Sequence, residues 1–159
     1  MTRITLLNGP NLNLLGEREP HIYGATTLAA IEASCGDLAA SLGIELHMAQ
    51  SNREGDLVEL IHRERGISSA LIINPAGLSF HSVALFDAIK AFDGPVIELH
   101  ISNIHARDAQ HRHSILSAAA TAVICGLGAY GYSVAVLAAA RLAGALPDHL
   151  PEPLRIGPR

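Results

Sequence analysis

The stretch that decides the fold spans residues 4–11 and reads ITLLNGPN. Its consecutive apolar residues are typical of a strand that is covered on both faces of a sheet, and the polar turn that follows marks the end of that strand. Four later runs share this character. The five predicted strands span residues 4–8, 44–49, 70–74, 96–100 and 122–125.

Helical patterns separate these strands, because apolar residues recur there at spacings of three and four. The predicted helices cover residues 28–42, 57–61, 83–89 and an alanine-rich stretch at 131–144. Ser82 is a candidate N-cap for the third of them. Alternating strands and helices predict an α/β fold with a five-stranded parallel sheet, right-handed crossovers and helices on both faces. We expect one domain over residues 1–146 and a proline-rich tail over residues 147–159.

The composition excludes several classes of protein. A chain of 159 residues, 49% hydrophobic and 16% charged, can bury a core and is not expected to be disordered. A net charge of −4, no tryptophan and 4% aromatic residues argue against a nucleic-acid partner. No apolar run reaches the roughly 18 residues of a membrane span. Two cysteines and no recognisable signal peptide predict a cytoplasmic protein without a disulfide framework.

Polar segments follow four of the predicted strands. Parallel sheets bind ligands at the carboxyl ends of their strands, near the point where the strand order reverses. We therefore expect one ligand site built from separated parts of the chain. These segments begin at Asn8, Gln50, Asn74 and Glu98.

Two patterns that resemble cofactor or metal motifs are weak. Residues 126–131 match G-x-G-x-x-G, but no further strand follows to carry the acidic residue of a dinucleotide site, so a tight turn is the favoured interpretation. The histidines at 100, 105, 111 and 113 have no metal-binding spacing. We predict no metal and no cofactor.

Glu98 and His100 form the most informative pair. They lie two residues apart on a predicted strand, so their side chains share one face. A carboxylate beside an imidazole fixes its tautomer and orientation, which suits a general acid. A purely structural buried ion pair is the alternative.

The segment over residues 16–26 is long for a strand-to-helix connection and is bounded by glycines. It carries Arg18 and Tyr23. A guanidinium favours a neighbouring phenolate, so Tyr23 is a candidate base, with simple packing as the alternative. Lys90 lies within a helix pattern and is not a favoured Schiff-base residue.

The sequence resembles the type II 3-dehydroquinate dehydratases over about residues 3–140. The motifs that carry the resemblance are LNGPNLNLLGEREP at 7–20, YG at 23–24, QSNREG at 50–55, INP at 73–75, SVAL at 82–85 and ELHISNIHAR at 98–107. The resemblance implies a flavodoxin-like fold. It also implies removal of water from 3-dehydroquinate to give 3-dehydroshikimate, with no metal, cofactor or Schiff base.

The resemblance assigns roles to individual residues. Tyr23 would take the proton next to the ketone, and Arg18 would keep the phenolate available. Asn11 would help to hold the water that stabilises the enolate. His100 would protonate the departing hydroxyl, and Glu98 would orient it.

The same resemblance predicts how substrate and subunits are held. Asn74 and the backbone amides of Ile101 and Ser102 would bind the substrate carboxylate. Asp87 matches a position that reaches the site of a neighbouring subunit, in a homo-oligomer of trimers arranged as a dodecamer.

Two positions depart from the family pattern. Phe80 stands where a histidine is usual, and His111 stands where an arginine is usual. In the family both groups contact ring hydroxyls of the substrate. One interpretation is that His81 and Arg112 compensate from adjacent positions. The alternatives are elimination on a related cyclic β-hydroxy ketone, or a non-catalytic paralogue that binds a shikimate-type acid.

Overall fold

The computed structural model describes residues 1–151 as alternating strands and helices. The strands are β1 (Arg3–Asn8), β2 (Glu45–Gln50), β3 (Ala70–Asn74), β4 (Val96–His100) and β5 (Ala122–Cys125). The α-helices are α1 (Pro20–Tyr23), α2 (Leu28–Ser41), α3 (Glu54–Glu64), α4 (Val83–Lys90) and α5 (Tyr130–Leu142). Short 3₁₀ helices cover Leu12–Leu14, Ala76–Phe80, Ile104–Ala106 and Ile115–Ala119.

The five strands form one sheet in the order β2-β1-β3-β4-β5, and every neighbouring pair is parallel. The predicted flavodoxin-like sheet is thereby confirmed. The strand order reverses at β1, which pairs with β2 on one side and β3 on the other. A crevice for a ligand is therefore expected at the carboxyl end of β1 and β3.

The core lies in two layers, one on each face of the sheet. On one face Ile4, Leu6 and Ile72 pack with residues of α2 and α5. On the other face Leu7 and Leu71 pack with residues of α3 and α4. Neighbouring residues such as Leu6 and Leu7 thus serve opposite layers, as the alternation of a strand requires.

Side-chain caps fix the starts of two helices near the crevice. The Thr27 hydroxyl accepts the Ala30 N–H at the start of α2. The Ser82 hydroxyl accepts the Leu85 N–H at the start of α4, which confirms the predicted N-cap. Each such cap contributes about 1 kcal/mol to stability.

The glycine motif before α5 forms a tight turn. Gly126 has φ +87° and Gly128 φ +63°, which side chains rarely adopt. A Cβ at Gly131 would lie 3.1 Å from Leu99 Cδ1, so the helix approaches the sheet closely at that residue. The turn interpretation of this motif is confirmed.

The chain that follows α5 returns to the core, where Leu146 and Leu150 pack. Most of the predicted proline-rich tail, residues 152–159, lies outside the described residues. None of the helices within residues 1–151 is both long and apolar enough to cross a membrane.

Candidate active site

A cavity lies at the carboxyl ends of β1, β3 and β4, where the strand order predicts it. Eight of the twelve predicted site residues line it. They are Asn11, Arg18, Tyr23, Asn74, His100, Ile101, Ser102 and His111. The predicted convergence of separated segments on one edge of the sheet is therefore observed.

The other four predicted residues do not line the cavity. Glu98 lies behind His100 and contacts it directly. Asp87 is exposed on α4, outside the cavity of its own chain. His81 and Arg112 are also exposed and outside the cavity.

The position of His81 and Arg112 corrects one interpretation of the sequence. Each follows a residue that does line the cavity, Phe80 and His111. Successive side chains leave the backbone in different directions, so a shift of one position carries these two cations out to solvent. The structure therefore does not favour their compensating for the altered positions.

The end of β4 holds a fully bonded carboxylate–imidazole pair, which confirms that Glu98 and His100 share one face. His100 Nε2 lies 2.9 Å from Glu98 Oε2, and both side chains are buried. The hydroxyls of Ser114 and Ser117 each donate to Glu98 at 2.8 Å.

These bonds also set the ionisation of Glu98. Burial alone would raise the pKa of its carboxyl. The hydrogen bond and charge of His100, with the two serine hydroxyls, outweigh burial and hold that pKa below its usual range. An ionised carboxylate only accepts, so Nε2 of His100 carries a proton and Nδ1 is the nitrogen left for chemistry in the cavity.

Tyr23 lies opposite, on the short helix α1, and is half-buried. The Arg18 guanidinium carbon is 5.6 Å from the centre of its ring, and that of Arg107 is 5.9 Å away. Two cations within about 6 Å of a phenol favour its anionic form.

Sequence reasoning gave Arg107 no role, although it ends the motif that follows β4 and lines the cavity. The signal that could have found it is its place among polar residues after a central strand.

Backbone contacts hold Asn11 at the cavity. Its φ is +69°, and its N–H donates to Asn52 Oδ1 at 2.9 Å. Gln50 Nε2 donates to that same oxygen and to the Gly9 carbonyl. A Cβ at Gly9 would lie 2.6 Å from the Pro75 carbonyl oxygen, so only glycine permits this approach of the two loops.

A buried tyrosine holds Asn74. Tyr132 donates its hydroxyl proton to Asn8 Oδ1 at 2.6 Å and accepts from Asn74 Nδ2 at 2.9 Å. Asn74 Oδ1 accepts the Ala76 N–H, so both ends of its amide are fixed. Burial raises the pKa of Tyr132, which keeps its proton in place. Sequence reasoning missed Tyr132, which lies inside a helix pattern with nothing to separate it from core residues.

Within residues 1–151, histidine, cysteine and acidic side chains form no cluster of three or more that could hold a metal ion. The cavity instead places a phenol flanked by two guanidiniums opposite an imidazole backed by a carboxylate. Fold and site together define a flavodoxin-like α/β protein with an acid–base cavity at its strand ends.

Comparison with known proteins narrows that class to one family. The model of the family described as dehydroquinase class II matches residues 2–140. The chain belongs to this family.

Similar proteins support the assignment along nearly their whole length. The chain is 54% identical over 136 residues to 3-dehydroquinate dehydratase 2 of Agrobacterium fabrum, covering 86% of this chain and 92% of that protein. It is also 54% identical over 139 residues to a catabolic 3-dehydroquinase of Verticillium alfalfae, covering 87% and 93%. The solved type II dehydroquinase of Propionibacterium acnes superposes with a TM-score of 0.85 at 39% identity, covering 91% of this chain and 97% of the other.

Proposed function

We propose that the protein is a hydro-lyase that converts 3-dehydroquinate to 3-dehydroshikimate and water. The observation that carries this proposal is the shared cavity of Tyr23 and His100. Elimination of water from a β-hydroxy ketone needs a base at the carbon beside the ketone and an acid at the hydroxyl. The cavity supplies one candidate for each.

Tyr23 is the proposed base. As a phenolate it takes a proton from the carbon between the ketone and the hydroxyl-bearing carbon, which leaves an enolate. Arg18 and Arg107 stabilise the phenolate before transfer, since both guanidiniums lie near its ring. Asn11, held by Asn52, helps to bind the water that stabilises the enolate.

His100 is the proposed acid. Nε2 is occupied by Glu98, so the proton comes from Nδ1 of the imidazolium. As the enolate collapses, the carbon–oxygen bond breaks and this proton joins the departing hydroxyl to form water. The products are the conjugated enone, a neutral imidazole and a protonated Tyr23, so a return of the proton to His100 resets the site.

The substrate carboxylate is proposed to bind at Asn74 and at the backbone amides of Ile101 and Ser102. All three residues line the same side of the cavity, at the ends of β3 and β4. Tyr132 holds the Asn74 amide, so this part of the site is arranged before substrate arrives.

We further propose a place in shikimate or quinate metabolism, a cytoplasmic location and a homo-oligomer of trimers arranged as a dodecamer. In such an assembly Asp87, exposed on α4, would approach a neighbouring cavity. Light scattering of the purified protein tests the subunit number. Mixing inactive Asp87→Asn and Tyr23→Phe subunits tests the contact, because regained activity requires residues from two chains.

An ultraviolet assay of the purified protein with 3-dehydroquinate tests the activity. We expect the absorbance of the conjugated enone to rise, and Tyr23→Phe to abolish that rise. A folded protein that forms no enone, yet binds a shikimate-type acid, would instead be the non-catalytic paralogue.

A further inference from the structure

Two rings close one side of the cavity. Phe80 meets the His111 imidazole nearly edge to face, with the ring centres 5.5 Å apart and the planes at 82°. Both line the cavity that holds Tyr23 and His100. This separation and angle are favourable for an aromatic pair, so each ring supports the position of the other. We call Phe80 and His111 the ring wall.

Asp108 fixes the imidazole of the ring wall. His111 Nδ1 lies 2.8 and 2.9 Å from the two oxygens of Asp108. The hydrogen bond from His111 lowers the pKa of this carboxyl, so it is ionised at neutral pH. An ionised carboxylate only accepts, and Nδ1 must therefore donate. Nε2 is the nitrogen of His111 that remains for a ligand.

The ring wall thus offers a ligand little hydrogen bonding. Phe80 presents only carbon and hydrogen, and His111 presents one nitrogen. A site that encloses a hydroxyl with buried polar partners rejects an analogue lacking it by roughly 10⁴. The His111 side chain is 41% exposed, so water can replace a missing hydroxyl there. A single such hydrogen bond changes affinity by roughly tenfold.

We propose that the ring wall makes this chain tolerant of its substrate's ring hydroxyls, so that it dehydrates both 3-dehydroquinate and cyclic β-hydroxy ketones lacking one hydroxyl that the product retains. The inference rests on the proposed function. The elimination itself is unchanged, because the hydroxyl that is absent neither leaves nor donates a proton.

The test compares kcat/KM for 3-dehydroquinate and for the analogue that lacks one retained hydroxyl, with absorbance of the enone as the signal. We expect a ratio of about tenfold in favour of 3-dehydroquinate. A ratio above about 100-fold for both possible analogues overturns the inference, because it would show a site built around those hydroxyls.

Variants of the ring wall provide a second test. We expect His111→Phe to bring the ratio to about one for the analogue that lacks the contacted hydroxyl, by lowering kcat/KM for 3-dehydroquinate alone. The matched control is His113→Phe, at an exposed position outside the cavity, which should leave the ratio unchanged. An equal loss on both substrates would make His111 a structural residue and overturn the inference.

Binding separates this inference from the proposed function. Calorimetry with 3-dehydroshikimate and its deoxy analogues should give the same tenfold ratio of affinities. If neither ketone is dehydrated, the proposed function fails, and the ratio of affinities still decides whether the ring wall is tolerant.

Discussion

His100 and Tyr23 line the same cavity, but the fold holds them in different ways. His100 ends a central strand, is 4% exposed and is bonded to a carboxylate that two serines also bond. Tyr23 lies on a four-residue helix between Glu19, whose φ is +43°, and Gly24, whose φ is +78°, and it is half-buried. The orientation of the acid is thus a product of folding, whereas that of the base depends on a short surface segment.

This difference teaches where rate and stability are coupled. Removing a partner from a buried, fully bonded group costs stability, because the groups left behind lose hydrogen bonds that water cannot replace. A partly exposed phenol leaves no such group behind. We therefore expect changes at the acid to lower both activity and stability, and changes at the base to lower activity alone.

The largest effect is expected from Tyr23→Phe. It deletes the proposed base and nothing else, so turnover should fall by about 10⁴, at the upper end for a general base. Binding of 3-dehydroshikimate and the melting temperature should stay close to those of the unmodified protein. Enone absorbance, calorimetry and thermal melting measure the three quantities. Turnover within tenfold of the original would remove Tyr23 from the mechanism.

His100→Ala is expected to lower turnover by roughly 10²–10⁴, as for loss of a general acid. It also takes one hydrogen bond from the buried Glu98 carboxylate, which should cost about 1–3 kcal/mol of stability. Denaturant unfolding followed by circular dichroism measures that loss. If stability did not change, the contrast drawn between the two halves of the cavity would be wrong.

Much of this arrangement can be predicted from the sequence, because it follows from local pattern. Apolar runs locate the strands, and the two-residue repeat of a strand brings Glu98 and His100 together. The contacts of Arg107 with Tyr23 and of Phe80 with His111 join segments that are distant in the chain. Such contacts depend on how loops pack, which no periodicity encodes, so they emerged only from the structure.

The two guanidiniums beside Tyr23 are expected to contribute less than the phenol itself. Arg18→Gln and Arg107→Gln should each lower kcat by about tenfold to 100-fold, because each removes one cation from a partly solvated site. The double variant should lose less than the product of the two, since both act on one phenolate. Arg112→Gln, exposed and outside the cavity, is the control and should retain full kcat.

Tyr132→Phe tests whether Asn74 must be held in advance. The variant removes the hydroxyl that bonds both Asn8 and Asn74. We expect KM to rise by roughly tenfold with little change in kcat, because the carboxylate contact loosens while the acid and base remain. Tyr130→Phe is a matched control, since Tyr130 is 67% exposed. A loss of stability with unchanged KM would reduce Tyr132 to a core residue.

The smallest effect concerns acid stability and compares the two ends of the sheet. Glu98 at the carboxyl end and Glu64 at the amino end are both buried, with hydrogen bonds that hold each pKa below the usual 4.5 despite the opposing effect of burial. Carboxyls of this kind stabilise the fold fully above the unfolded pKa, and that contribution is lost as pH falls through the lower folded pKa.

We therefore expect the free energy of unfolding to fall as pH drops below about 4.5, by at most about 1.4 kcal/mol per pH unit for each carboxyl. Glu98→Gln and Glu64→Gln should each flatten this slope, as measured by urea unfolding across the acid range. Only Glu98→Gln should also lower turnover, because Glu64 bonds Arg3, Thr5 and Ser68 far from the cavity. Equal turnover in the two variants would show that the carboxylate behind His100 serves stability alone.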